Sequence, residues 1–316
     1  MTADFEIPVI DLTGSEGPER EKLCKELAKA CEEWGFFQVI NHGIDESLLK
    51  RAQKVYTDFF YLPAEEKMKI LIPDDCIEGW KHPTLTASSE LLKNISGSKT
   101  AEYVNSVWLP DLPQHREKWP TSPPALQPTI VEFVHEAKGL HEKILTMIAE
   151  GLGLESDAFV KRFLAPRVSV RSNFYPLRSE EKSEGFVHPH SDVSGTTLLL
   201  SDMVAGLEVK KDDSWVQVEP RPNGFVVNVG DLVEILSNGK LRSVLHRGLP
   251  NLTMERLSIA CFYMANNDAV IAPVEELLDD EHPPKYRSIR FEDYFKAFLA
   301  KGNLLKRGLA QVKIDE

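Results

Sequence analysis

The sequence predicts an α+β fold whose core is a double-stranded β-helix, the jelly-roll or cupin-like architecture, with helices flanking it. Three observations indicate this fold. Residues 167–264 have the pattern of many short strands separated by Gly, Asp and Asn turns. The same region carries a His-x-Asp pair and an Arg-x-Ser pair, and double-sheet barrels of this kind enclose ligand sites. Helical patterns dominate the chain before this region, and one more follows it.

The amino-terminal part alternates short strands with helices. Residues 7–12 and 36–41 are predicted strands. Between them, residues 19–34 place apolar side chains at the spacing of an amphipathic helix. Asp45 can cap a second helix, and Leu62-Pro63 precedes a third.

From about residue 72 to 124 the pattern is irregular, and long irregular stretches are commonly functional. A long helix is predicted from Pro128 to Gly151, a shorter one over 155–164, and a final one around 291–299. We therefore expect an amino-terminal region at 1–120. A jelly-roll region, with its supporting long helix and carboxy-terminal helix, is expected at 121–316.

Composition excludes several classes of function. The chain has 316 residues, 42% of them hydrophobic, and a net charge of -12. Nucleic-acid binding needs a basic face, which this balance argues against. No run approaches the ~18 apolar residues of a membrane span, and the start lacks signal-peptide features. Four cysteines without a CxxC pair indicate reduced thiols. We expect a cytoplasmic monomer whose partner is a small molecule.

A metal site is predicted around His190 and Asp192. In a strand, residues two apart point to the same face, so this imidazole and carboxylate can converge. Two histidines and one carboxylate form the facial triad that holds Fe(II) and leaves positions open. His246 is the candidate third ligand. The runs 225–229 and 243–247 are predicted strands, with a turn at Asn238-Gly239 that would make them a hairpin.

A second charged site is predicted ten residues after His246. Arg256 and Ser258 lie on one face of an alternating strand. A guanidinium binds a carboxylate through two hydrogen bonds, and a neighbouring hydroxyl adds a third donor. Together with the metal triad, this pair suits an iron and a dicarboxylate.

These motifs resemble the signature of the Fe(II)/2-oxoglutarate-dependent dioxygenases. Asn173-Phe-Tyr175-Pro176 resembles that family's Asn-Tyr-Tyr-Pro segment. Near the amino end, Ile7-Pro-Val-Ile-Asp11-Leu and the stretch from Trp34 to Gly43 resemble the amino-terminal domain of the plant-type members. The resemblance covers the chain from about Ile7 to its carboxyl end.

The resemblance implies Fe(II) held by His190, Asp192 and His246. It implies 2-oxoglutarate and O2 as cosubstrates, with ascorbate as reductant and succinate and CO2 as products. The expected 2-oxoglutarate contacts are Arg256, Ser258, Tyr175 and Asn173. The family uses the Asn-His42-Gly segment for structure, so His42 is left out of the site. We interpret His188 as a surface or supporting histidine and Asp231 as a strand-end turn residue.

For the prime substrate, Phe262 and Arg171 are predicted to face the same cavity as the anion contacts. Tyr103, Asn105 and Trp108 are further candidates from the irregular region. A ring at Phe262 could stack on a planar substrate, which favours a flavonoid or phenolic compound, as in flavone synthases or flavanone hydroxylases. Simple packing roles are the alternative for each.

Three other functions stay open from sequence alone. One is a hormone-oxidising dioxygenase acting on gibberellin or auxin. Another is an enzyme like the aminocyclopropane-carboxylate oxidases. The last is a non-catalytic barrel that binds a small ligand, although every ligand of the triad is present.

Overall fold

In the computed structural model, two β-sheets pack against each other around the predicted site. The structure describes residues 6–72, 78–81, 101–109, 116–177, 187–249, 251, 253–301 and 308–314. The larger sheet has eight strands, in spatial order β1 Val9–Asp11, β2 Phe36–Ile40, β10 Phe225–Val229, β7 Thr196–Ser201, β12 Arg256–Met264, β5 Arg167–Tyr175, β4 Glu102–Trp108 and β3 Gly79–Lys81. The smaller has four, β6 Val187–His190, β11 His246–Gly248, β8 Leu207–Lys211 and β9 Ser214–Val218. A short pair joins β13 Val270–Ile271 to β14 Ile289–Arg290. This architecture confirms the predicted double-stranded β-helix.

Helices surround the sheets. They are α1 Arg20–Glu33, α2 Glu46–Phe60, α3 Ala64–Met68, α4 Leu126–Gly151, α5 Asp231–Leu236, α6 Phe291–Lys301 and α7 Leu309–Val312. The Asp45 side chain caps α2 as predicted, accepting a hydrogen bond from the Ser47 amide at 2.7 Å. The apolar stripe of α4 is buried against the large sheet. Among the described helices, none has an apolar stretch that would cross a membrane.

Two sequence predictions of local structure were wrong. The strands before and after Asn238-Gly239 do not form a hairpin, because β10 lies in the large sheet and β11 in the small one. Helix α5 separates them, since the apolar residues after Asp231 are buried on a helix rather than alternating along a strand. The turn itself is present, with φ of 53° at Asn238 and 78° at Gly239. In place of the helix predicted over 155–164, a 3-10 turn covers only Val160–Phe163.

The described parts of the irregular region add strands β3 and β4 to the edge of the large sheet. That sheet also contains β1 and β2, so it joins residues from both sides of the boundary predicted near residue 120. Three cysteines, Cys24, Cys31 and Cys261, are buried free thiols. Cys76 lies outside the described residues.

A buried ion pair fastens β3 and β4 to the helices. The Lys67 ammonium donates to both carboxylate oxygens of Glu102, at 3.0 and 2.8 Å, and to the Phe60 carbonyl at 3.0 Å. The Trp80 indole N–H also donates to Glu102, at 2.6 Å. Burial raises the pKa of Glu102, whereas Lys67 and Trp80 act to lower it. Lys67 and Trp80 therefore offset part of the cost of burying this carboxylate.

We predict that Lys67→Met lowers the free energy of unfolding by about 3–5 kcal/mol, because it leaves the Glu102 carboxylate buried without its cation. Urea denaturation would measure this loss. Lys69→Met is the matched control, because the Lys69 side chain is 64% exposed and pairs with Glu66 at the surface. Its effect should stay below about 1 kcal/mol. Equal effects of the two substitutions would contradict the prediction.

Candidate active site

Strand pairing brings the three predicted metal ligands together. His246 on β11 is the direct cross-strand partner of His190 on β6, and their ring centroids are 4.3 Å apart. Asp192 Oδ1 lies 3.5 Å from His190 Nε2 and 3.6 Å from His246 Nε2. Asp192 lies two residues beyond the end of β6, in a segment without regular secondary structure, so the strand alternation that the sequence predicted does not extend to it.

Both imidazoles turn the same nitrogen toward Asp192. Nδ1 of His190 donates to the His188 carbonyl at 2.8 Å, and Nδ1 of His246 donates to the Val244 carbonyl at 3.3 Å. Since a carbonyl can only accept, these bonds fix the tautomers and leave each Nε2 lone pair free. Burial, followed by the neighbouring His246, lowers the pKa of His190 to about 4, so His190 is neutral at pH 7.

The Asp192 carboxylate is oriented by two residues that the sequence analysis missed. Thr197 Oγ1 and Asn228 Nδ2 donate to Oδ2 at 2.6 and 2.8 Å, which leaves Oδ1 facing the histidines. Burial alone would raise the pKa of Asp192, but the two histidines and these hydrogen bonds hold it below its ordinary value. A signal was available, because Asn228 is the one polar residue in the apolar run 225–229.

This donor set fits a divalent iron. The three ligand atoms lie within 4.8 Å of one another, and they are two imidazole nitrogens and one carboxylate oxygen. That is the composition of the facial triad of non-haem Fe(II) oxygenases. The hydrogen bonds behind each ligand are the support that metal sites require.

The anion site lies on two paired strands. Arg256 of β12 pairs with Tyr175 of β5, and Ser258 pairs with Asn173. The guanidinium is 4.8 Å from the Tyr175 ring centroid, and its Nε donates to the Val204 carbonyl at 3.2 Å. Its Nη1 is buried and has no hydrogen-bond partner among the described residues.

A buried cation with an unused donor suits a ligand carboxylate. Arg256 is only 2% exposed, so an unmatched charge there is costly unless a ligand completes it. The acidic residues Glu255 and Asp231 bond to other groups. Glu255 accepts from the Tyr61 hydroxyl, and Asp231 accepts from Ser243 and Tyr294. The residues present therefore fit the dicarboxylate that the sequence predicted.

One cavity joins the metal ligands to the anion site. It opens to solvent, and both polar and apolar side chains line it. Arg171 and Phe262 line it together with all seven predicted metal and cosubstrate residues. The shared face of positions 256, 258, 260 and 262, and that of 171, 173 and 175, were both predicted from strand alternation.

The other three predicted substrate residues lie outside the cavity wall formed by the described residues. Tyr103 stacks on the Arg171 guanidinium, with 3.6 Å from Cζ to the ring centroid. Asn105 is buried and accepts from Ser169 Oγ at 2.9 Å. Trp108 lies on the opposite face of β4 and packs against the hydrophobic core, because it is an odd number of residues from Tyr103.

The two histidines left out of the site do lie apart from it. His42 Nε2 donates to the Asn223 carbonyl at 2.8 Å, and its Nδ1 accepts from the Ile44 amide at 3.1 Å, a structural role in a turn. The side chain of His188 is exposed on β6, while its carbonyl orients His190.

Two family models match the chain. Residues 7–127 match the "non-haem dioxygenase in morphine synthesis N-terminal" model. Residues 167–265 match the "2OG-Fe(II) oxygenase superfamily" model. The second match contains every metal ligand and every anion contact described above.

Known proteins are similar over nearly the whole chain. Jasmonate-induced oxygenase 4 of Arabidopsis thaliana is 36% identical over 95% of this chain and 84% of its own length. Flavonol synthase/flavanone 3-hydroxylase of Matthiola incana is 36% identical over 92% of this chain and 96% of its own. The crystal structure of JOX2 with 2OG, Fe and JA superposes with a TM-score of 0.87 at 32% identity, covering 98% of this chain and 90% of that one.

We predict that Thr197→Val weakens metal affinity about 10- to 100-fold, because loss of a hydrogen bond that orients a ligand has effects of this size. Anaerobic Fe(II) or Mn(II) titration of the metal-stripped chain would measure it. Thr196→Val is the control, since Thr196 is also buried but bonds to His141 at 2.8 Å on the other face of β7. Unchanged affinity in Thr197→Val would sink the assignment.

Proposed function

This chain belongs to the 2OG-Fe(II) oxygenase superfamily as a plant-type dioxygenase, and we propose that it oxidises a small ring-containing molecule that carries an anionic oxygen. The observation that supports this substrate class is Arg171. It is a second guanidinium in the cavity, and its Nε is buried without a hydrogen-bond partner among the described residues. Family membership makes the chain an enzyme, as the sequence predicted, rather than a non-catalytic barrel.

One group of residues would bind the metal, and a second group would bind 2-oxoglutarate. When bound, iron and 2-oxoglutarate supply the chemistry, using O2 to couple decarboxylation of the cosubstrate to oxidation of a substrate C–H bond. His190, Asp192 and His246 would hold the metal through Nε2, Oδ1 and Nε2. Arg256 and Ser258 would donate to the distal carboxylate of 2-oxoglutarate. Tyr175 and Asn173 would line the same end of the cavity as Arg256 and Ser258.

Arg171 would anchor the substrate. Its guanidinium lies over the Tyr103 ring, a cation–π contact that restricts its orientation without neutralising its charge. Ala260, its cross-strand partner, leaves room beside it because of its small side chain. Phe262 lies next along the same face and offers an apolar surface to a ring.

A flavonoid or phenolic compound is the first candidate. Phe262 in the cavity wall supports a planar ring system, and the relative from Matthiola incana is named as a flavonol synthase/flavanone 3-hydroxylase. An ionised phenol would accept from Arg171. The reaction would be hydroxylation or desaturation of the ring next to the metal.

A small carboxylic acid of the hormone type is the second candidate, because a guanidinium matches a carboxylate with two parallel hydrogen bonds. A solved relative has JA bound, and another is a dioxygenase for auxin oxidation in rice. The shared chemistry of both candidates is one anionic oxygen on a mainly apolar body.

Succinate formation distinguishes these two candidate substrate classes. The full chain would be assayed with Fe(II), 2-oxoglutarate and ascorbate against flavanones, flavonols, jasmonate, gibberellins, indole acetate and the aminocyclopropane acid, with His190→Ala as the blank. If succinate formation rises with a flavonoid, the substrate is of the first class; if it rises with a carboxylic acid, the substrate is of the second. Ethylene from the aminocyclopropane acid, without 2-oxoglutarate turnover, would overturn the proposal.

We predict that substitutions of the two cavity arginines have different effects, one on 2-oxoglutarate binding and the other on substrate binding. Arg256→Leu should cost about 2–5 kcal/mol in 2-oxoglutarate binding, because the distal carboxylate loses its cation. Arg171→Leu should leave 2-oxoglutarate binding within about 2-fold and raise the substrate KM by a factor of ten or more, the loss expected of one charge-assisted contact. Calorimetric titration with Mn(II) present measures the first quantity, and steady-state kinetics the second. The roles assigned to Arg256 and Arg171 are wrong if both substitutions weaken 2-oxoglutarate binding equally.

A further inference from the structure

The segment Trp34-Gly-Phe36-Phe37 has so far been used only to recognise the family. In the structure, Phe36 of β2 lines the cavity with the metal ligands although it is more than 150 residues away from them in sequence. Its ring is 1% exposed and lies 5.2 Å from the His246 ring centroid, at an interplanar angle of 64°. This is the edge-to-face geometry that aromatic pairs favour.

His246 needs this contact more than His190 does. The hydrogen bond from His246 Nδ1 to its carbonyl is 3.3 Å long, against 2.8 Å for the equivalent bond of His190. A bond beyond 3.2 Å restrains a ring only weakly. The Phe36 ring packs against the imidazole and restricts the rotation that this long bond permits.

The backbone beside Phe36 supports the same segment of chain. Gly35 has φ of +65°, and a Cβ there would come within 2.1 Å of the Arg242 carbonyl oxygen. The Arg242 amide donates to the Cys31 carbonyl, at the end of α1, at 3.2 Å. The stretch 242–246 therefore rests directly on the α1–β2 connection, and Val244 within it accepts the His246 hydrogen bond.

Phe36 also adjoins the support of Asp192. It is the cross-strand partner of Asn228, which donates to the Asp192 carboxylate. One residue of the amino-terminal region thus lies against elements that hold two of the three ligands.

We propose that Phe36 is a positioning residue of the metal centre, which holds the His246 imidazole in its metal-binding orientation before the ion arrives. The amino-terminal region then contributes to metal affinity without supplying a ligand. This inference rests on the metal site and is independent of the substrate.

The chain contains a matched control for this role. Phe37 is the next residue on β2, is equally buried, and points to the opposite face into the main hydrophobic core. Phe37→Leu and Phe36→Leu remove the same atoms from buried positions of one strand. Phe36 packs in the smaller apolar cluster with Ile7, Leu207 and Val209, whereas Phe37 packs in the main core. Of the two rings, the ring of Phe36 is the one that contacts His246.

The test is metal binding by the two variants in the full-length chain. Metal-stripped protein would be titrated anaerobically with Fe(II), and with Co(II) to record its d–d absorption. Phe36→Leu should weaken both affinities about 2- to 10-fold, the range that one aromatic contact supplies, and alter the Co(II) spectrum. Phe37→Leu should bind both metals like the wild type, and urea denaturation would show whether the two variants lose comparable stability.

Two outcomes overturn the proposal. One is wild-type affinity in Phe36→Leu, and the other is equal weakening in both variants, which would mean a general loosening of the sheet. If Phe36→Leu does not fold, Phe36→Met takes its place, since it conserves more volume. The same expected result and the same two contrary results apply to it.

Discussion

The antiparallel ladder between β5 and β12 determines where the anion contacts and the proposed substrate contacts Arg171 and Phe262 lie. It runs through nine consecutive residue pairs, from Arg256 with Tyr175 to Met264 with Arg167. Because side chains alternate, one row from each strand faces the cavity, and a slip of one residue would turn Arg256 and Ser258 away from it. The large sheet therefore fixes the order of these side chains along the cavity, with the anion contacts at one end and Phe262 at the other.

The metal centre depends on a second set of pairings. The β6–β11 pair joins the histidines, while β7 and β10 provide the hydroxyl and amide that orient Asp192. The cavity holds two guanidiniums and one carboxylate, whereas the whole chain has a net charge of -12. Overall charge argued against nucleic acid as a partner but did not indicate the sign of the charge at the site, which burial and local pairing determine.

Sequence patterns predicted what local periodicity determines. Strand alternation identified Arg171, Ser258 and Phe262 as cavity residues, the family resemblance identified Asn173, and residue types with motif order identified the triad. The hairpin before His246 was wrong because α5 buries an apolar run that also resembles a strand. Phe36 was missed because its partners, His246 and Asn228, come from distant segments, and only the register of β2 with β10 brings it to the metal ligands. Thr197 was missed although it follows Asp192 by only five residues.

The position of β2 has a consequence for how such chains can be recombined. This strand lies inside the large sheet, between β1 and β10, so the amino-terminal segment is not a module beside a finished barrel. A chimaera that took its first hundred residues from a relative would take the residue opposite Asn228 and against His246 from that relative. The two regions that family models recognise separately thus share one sheet and one metal site, and exchanging either region changes contacts that the other makes.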